Sequence, residues 1–198
     1  VEADTTAPNG FVFNPDTEGS VLKGTIQADG SLVLKVFFDR KSYTVTFDVA
    51  GGSEVEAITA VYGEIIDSPE TTKTGHAFAG WYTEADEKFN FSSPVVGDMT
   101  LTAKWNVLTG LPFRIEYYYM DINTGEEKLV ETVRGTGSYG QVITADDTPL
   151  DGYEFDRGNK TGVLGLDELV LKLFFQPMSY SIIFETNGGS EVAEYGAL

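Results

Sequence analysis

Any histidine-based triad or dyad in this chain has a single candidate, His76, because the 198 residues contain no second histidine and no cysteine. Thiol nucleophiles, disulfides, zinc–thiolate sites and iron–sulfur clusters are thereby excluded, as are metal sites that need two or three imidazoles. No Gly-x-Ser-x-Gly elbow supplies a nucleophile for His76 to activate, so a packing role is expected for that ring. Asp121-x-Asn123-x-Gly125 places oxygen side chains at alternate positions, as a calcium loop does. The fifth position is glycine, however, and the sixth, where the sharp turn needs glycine, is Glu126. A hairpin turn is the expectation there, and solvated charge is expected at Asp146, Asp147 and Asp151. Carboxylate pairs for glycoside hydrolysis need a cleft and a set separation, which small β modules do not offer. No enzyme activity is expected, and no cofactor or metal. Among the aromatics, Trp81, Tyr82 and Trp105 read as core. Tyr118 points away from the Tyr117/Tyr119 face of its strand, which makes it the candidate ligand-binding residue.

Elements must hold these residues, and composition bounds what they can be. Apolar residues make up 41% and aromatics 13% of the chain, enough for packed cores. Thirteen Lys and Arg against 31 Asp and Glu give a net charge of −18. Such an excess repels phosphate backbones and anionic membrane surfaces, so neither nucleic acid nor membrane is an expected partner. No apolar run reaches the roughly 18–20 residues of a membrane helix. The first residues, Val1-Glu2-Ala3-Asp4, lack the character of a signal peptide, and the chain reads as an internal piece of a longer protein.

Internal similarity is the most informative feature. Residues 32–55 read LVLKVFFDRKSYTVTFDVAGGSEV and residues 169–192 read LVLKLFFQPMSYSIIFETNGGSEV. Phe38 and Phe175, Tyr43 and Tyr180, and Gly52 and Gly189 are each 137 positions apart. Upstream, Pro8–Phe13 has a weaker partner in Leu150–Phe155 at an offset of 142, so five residues are lost between the matched stretches. The pattern predicts two alternating module types: the C-terminal portion of the first type in 1–40, a complete module of the other type in 42–106, a linker at 107–111, a complete module of the first type in 112–176, and the start of a second module of the 42–106 type in 179–198. Short connectors predict a stiff, elongated array whose partners are its own neighbouring modules.

Period-two alternation makes the fold mainly β. Tyr43, Val45 and Phe47 share one strand face, Leu32, Leu34, Val36 and Phe38 another, and Leu169, Leu171, Leu173 and Phe175 its copy. Phe113, Ile115, Tyr117 and Tyr119 form one more apolar face. The Met120–Glu127 segment has hairpin-turn chemistry. Ser53–Val61 and Ser92–Asp98 could hold a few helical turns at most. The glycines of Ala50-Gly51-Gly52-Ser53 and Asn187-Gly188-Gly189-Ser190 predict turns with positive φ.

Across 43–105, Tyr43-x-Val45-x-Phe47, Gly51-Gly52, Tyr62-Gly63, Pro69, Gly75-His76-Ala77-Phe78-Ala79-Gly80-Trp81-Tyr82, Phe89-x-Phe91, Pro94-Val95 and Thr100–Trp105 follow one another. This series resembles the Listeria–Bacteroides repeat, also called the internalin B-type repeat, and 179–198 resembles its opening. Residues 112–176 and 1–40 resemble, more loosely, the mucin-binding-protein type of module. That likeness is carried by Ile115-Glu116-Tyr117-Tyr118, the Asn123-Thr124-Gly125-Glu126 turn, Gly152-Tyr153-x-Phe155 and Leu169–Phe175. Both resemblances imply small β-grasp-like (ubiquitin-like) modules in secreted or cell-wall attached extracellular bacterial proteins. Lys35, Lys104 and Lys172 lie in strands, but no spacing selects any of them for the Lys–Asn crosslinks of some wall proteins. The function so implied is a structural stalk that spaces or supports an adhesive domain. The second reading is a direct adhesion module that binds a host glycan or protein.

Overall fold

The computed structural model describes residues 1–197, and the chain divides into two units, Val1–Asn106 and Val107–Leu198. The fold is mainly β, with no helix among the described residues. In the first unit the strands are β1 (Phe11–Phe13), β2 (Phe38–Arg40), β3 (Ser42–Asp48), β4 (Ile58–Val61), β5 (His76–Tyr82) and β6 (Met99–Val107). The two weak helix signals give no helix: Ser53–Val61 runs through a loop into β4, and 92–98 is turn and loop. Neither segment has the sustained 3.6-residue apolar period that would give a helix a face to bury.

The four-stranded sheet of this unit has the order β4-β3-β6-β5. β3 is antiparallel to β4 and parallel to β6, with Val45 opposite Met99 and Phe47 opposite Leu101. Alternation along β3 turns Val45 and Phe47 into the core and leaves Thr44, Thr46 and Asp48 exposed. Trp81, 1% exposed, stands at the centre with Val45, Ala60, Ile66, Val95, Leu101 and Ala103. Its ring meets that of Phe47 edge-on at 4.8 Å. Buried indoles need acceptors. Trp81 Nε1 donates to the Pro69 carbonyl and Trp105 Nε1 to the Val49 carbonyl, each at 3.0 Å.

After β3 the chain reverses through Ala50 and Gly51, both at positive φ (46° and 83°). The copy repeats this with Asn187 and Gly188 (46° and 92°). The turn therefore starts one residue before the glycines that announce it. Alanine tolerates the left-handed region at Ala50 because Asp48 Oδ1 accepts from its N–H at 2.9 Å.

The second unit contains β7 (Leu111–Met120), β8 (Glu127–Gly137), β9 (Val142–Thr144), β10 (Tyr153–Gly158), β11 (Thr161–Val163), β12 (Leu169–Pro177), β13 (Tyr180–Ile182) and β14 (Tyr195–Ala197). Its main sheet has the order β10-β12-β7-β8, while β9 pairs with β11 and β13 with β14. β7 and β12 are parallel over seven residue pairs, from Phe113 opposite Leu169 to Tyr119 opposite Phe175. One face of this sheet packs Ile115, Tyr117, Leu171, Leu173 and Phe175 against Ile143, Ala145 and Leu164. In both units the strand that opens the four-stranded sheet and the strand that closes it are adjacent and parallel.

The repeat is visible in the bonding. Phe11 opposite Arg40 and Phe13 opposite Phe38 correspond to Tyr153 opposite Pro177 and Phe155 opposite Phe175. The Gly10 carbonyl accepts from Lys41 N–H, and the Gly152 carbonyl from Met178 N–H. Asp4 Oδ1 accepts from Thr6 N–H just as Asp146 Oδ1 does from Thr148 N–H. These last bonds extend the similarity of Pro8–Phe13 back to Asp4. One expected strand is shorter than its sequence suggested: of residues 32–38 only Phe38 enters β2, and Lys35 makes a single bridge to Val21. The nearly identical copy, 169–175, is strand throughout as part of β12 because β7 lies alongside it.

Gly158 (φ 127°) lies where β10 runs against β12, and an added Cβ there would strike the Lys172 carbonyl. Gly158→Ala combines that clash with an unfavourable φ. It is expected to cost the second unit more than about 1 kcal/mol in urea unfolding.

Candidate functional site

The outward face of the second unit's sheet collects the side chains that alternation sends away from the core. β7 contributes Arg114, Glu116 and Tyr118, and β12 contributes Val170, Lys172 and Phe174 directly opposite them. On the flanks, Arg134 of β8 lies opposite Arg114, Leu129 of β8 opposite Tyr118, and Arg157 of β10 opposite Phe174. Directly opposed residues share a face. A ladder of Leu129, Tyr118, Phe174 and Arg157 therefore crosses all four strands.

Tyr118, the residue singled out from the sequence, is half-buried within this ladder. Its ring stacks on Phe174 with centroids 4.8 Å apart and planes 17° from parallel, and its hydroxyl donates to Glu116 Oε2 at 2.9 Å. The Arg157 guanidinium lies 4.3 Å from the centre of the Phe174 ring, and Lys172 Nζ lies 5.5 Å from that of Tyr118. Cations over ring faces are held by the ring quadrupole.

Glu116 is the electrostatic centre of the face, and it is mostly covered. Arg114 Nε donates to its Oε1 at 2.7 Å, while Lys172 Nζ is 3.2 Å from Oε2. The hydrogen bond from Arg114, then that from Tyr118, then Lys172, bring the Glu116 carboxyl down from 4.5 to about 2. Hydrogen bonding to Glu116 in turn raises both Arg114 and Lys172. Glu168 bridges Arg114 and Arg134, and Arg157 pairs with Glu127 and Asp156. Three of the chain's four arginines (Arg114, Arg134 and Arg157) are thus gathered on one face and matched by carboxylates. On the opposite face, burial raises the phenols of Tyr117 and Tyr119.

The other sequence-derived candidates are not members of this face. The Asp121 loop is a turn: Asp121 Oδ1 accepts from Asn123 and Thr124 N–H at 2.9 and 3.1 Å, and Oδ2 pairs with Lys128. These contacts, Lys128 first, lower its carboxyl from 3.8 to about 2. Asp147 pairs with Lys160. His76 begins β5, with Nδ1 2.9 Å from the Thr74 carbonyl. Trp81 is in the core, Trp105 is half-buried, and Tyr82 is half-buried beneath Lys104 at 4.3 Å. Phe78, which no sequence pattern marks as a site residue, is 37% exposed and touches both tryptophan rings at 5.4 and 5.3 Å. Glu116 and Phe174 are likewise unmarked, although the alternation that selects Tyr118 applies equally to them.

Residues 43–104 match the family model of the Listeria–Bacteroides repeat domain. Over 207 aligned residues the chain is 28% identical to a protein of Evansella cellulosilytica described as a Gly-rich membrane protein, covering 92% of this chain and 23% of that protein. A second protein of that organism, described as a membrane protein, is 27% identical over 179 residues, with 78% and 25% covered. The chain thus spans about a quarter of the length of the curated relatives it matches. Among the described residues no helix is long and apolar enough to cross a membrane.

Glu116 ionises far below its unfolded value, so its contribution to stability is complete above about pH 4.5 and is lost as pH falls toward 2. Glu116→Gln is expected to flatten that portion of the acid-unfolding curve followed by circular dichroism. A carboxylate carbon titration by NMR should place the Glu116 midpoint near 2.

Proposed function

We propose that this chain belongs to the repeat region of a bacterial surface or exported protein, where β-grasp-like modules space or support a separate adhesive domain. The observation that carries this reading is the recurrence of one set of strands and turns along the chain, at offsets of 137 and 142. The match of residues 43–104 to a repeat domain, and the likeness to proteins described as membrane proteins, support it. The modules are autonomous in this reading: 42–106 and 112–176 each fold on their own aromatic core, with 1–40 and 179–198 as incomplete modules. The large negative charge keeps neighbouring modules soluble and mutually repelling.

A second reading, direct adhesion to a host glycan or protein, is favoured by the outward ladder with Tyr118 at its centre. The two readings separate in a binding experiment. The stalk reading expects no retention of the purified chain on glycan arrays or host-cell protein extracts. Retention that disappears with Tyr118→Ala would replace it with the adhesion reading.

Autonomy has its own test, because both tryptophans, Trp81 and Trp105, lie in the first unit. Leu173 is fully buried in the second core, and Leu173→Ala should destabilise that unit by about 2–5 kcal/mol. The tryptophan fluorescence transition in urea should stay within about 0.5 kcal/mol of the parent, while the circular dichroism curve splits or shifts.

A further inference from the structure

We infer that the second unit is a mechanical clamp: tension applied along the chain loads the β7/β12 pair in shear, so the module resists extension far better than its thermodynamic stability alone would suggest. The geometry is specific. The chain enters the sheet at Leu111 and leaves it at Pro177. β7 and β12 are parallel, in register and directly bonded from Phe113/Leu169 to Tyr119/Phe175. Entry and exit therefore lie at opposite ends of one strand pair. A pull on both carries the strands past each other along their length. Parallel ladder bonds are evenly spaced and run across the strands, so such a pull strains all of them together rather than in succession.

Side chains bolt the same pair on both faces. Outside, Tyr118 stacks on Phe174 and Lys172 reaches Glu116 at 3.2 Å. Inside, Tyr119 stacks on Phe175 at 4.8 Å. Sliding by one residue would send every side chain of the moving strand to the wrong face. The outward ladder, which a ligand-binding reading treats as a docking surface, thereby acquires a role that needs no ligand. The first unit has the same arrangement in β3 and β6, but over only four pairs, from Val45/Met99 to Asp48/Thr102. The second unit is the stronger clamp of the two. Forced unfolding is governed by the unfolding barrier, so this resistance is kinetic and is not measured by denaturant titration.

The clamp follows from strand order alone, while the stalk reading supplies the tension it would bear. Failure of the clamp leaves the stalk reading to its own binding test. The absence of cysteine allows handles at chosen points in the full chain. Thr109, Asp167 and Ser179 are all exposed. Handles on a Thr109→Cys/Ser179→Cys chain pull β7 and β12 from opposite ends, in shear. Handles on a Thr109→Cys/Asp167→Cys chain pull them from the same end, so the residue pairs separate in sequence, as a zip opens. In single-molecule force spectroscopy at one loading rate, the shear geometry is expected to unfold at a several-fold higher force than the peeling geometry. Tyr118→Ala should lower the shear force. Equal forces in the two geometries overturn the clamp, and an unchanged shear force in Tyr118→Ala overturns the role assigned to the rings.

Discussion

Parallel pairing between the strand that opens a sheet and the strand that closes it is the constraint on which both units depend. Parallel neighbours cannot be joined by a tight hairpin, so everything between them must cross over. In the first unit the crossover carries β4, β5 and the loops that bring Ile66, Val95, Phe89 and Phe91 to Trp81. In the second it carries β8 to β11 and brings Ile143, Ala145 and Leu164 onto Leu171 and Leu173. The core of each unit is thus largely a product of the connection, and the central strand pair is its floor.

The two faces of the second sheet use the same alternation for opposite ends. Inward residues are apolar or aromatic and exclude water. Outward residues form a charge-matched network in which Glu116 is held by Arg114, Tyr118 and Lys172. In a chain with a net charge of −18, this matched face is a local departure from the general acidity. The network keeps Glu116 ionised well below the pH at which most carboxylates take up protons.

Much of this is legible in the sequence, because period-two alternation and paired glycines report on single strands and turns. Tyr43–Phe47, Phe113–Tyr119 and Leu169–Phe175 form strands as their patterns imply. The failures come from information that is not local. LVLKVFF and LVLKLFF have nearly the same propensity, yet only the second becomes a long strand, since β7 stands beside it. Ala50 adopts a left-handed conformation because of a bond to Asp48, which no glycine announces. Glu116 reads as one acid among 31, and only the register of β7 against β12 shows that it stands opposite Lys172. The position of Tyr118 on the outward face follows from alternation, but its partner Phe174 requires the pairing.

The difference in spacing between the two copies carries a practical consequence. Phe13 and Phe38 are partnered across 25 positions, while Phe155 and Phe175 are partnered across 20. The same strand contact thus closes excursions of two lengths. The end pairing is kept in both copies although the backbone it closes differs in length and in strand content. An epitope, a cleavage sequence or a fluorophore-bearing peptide grafted at the exposed Leu166–Asp167 bend would leave β10, β11 and the buried Leu164 in place.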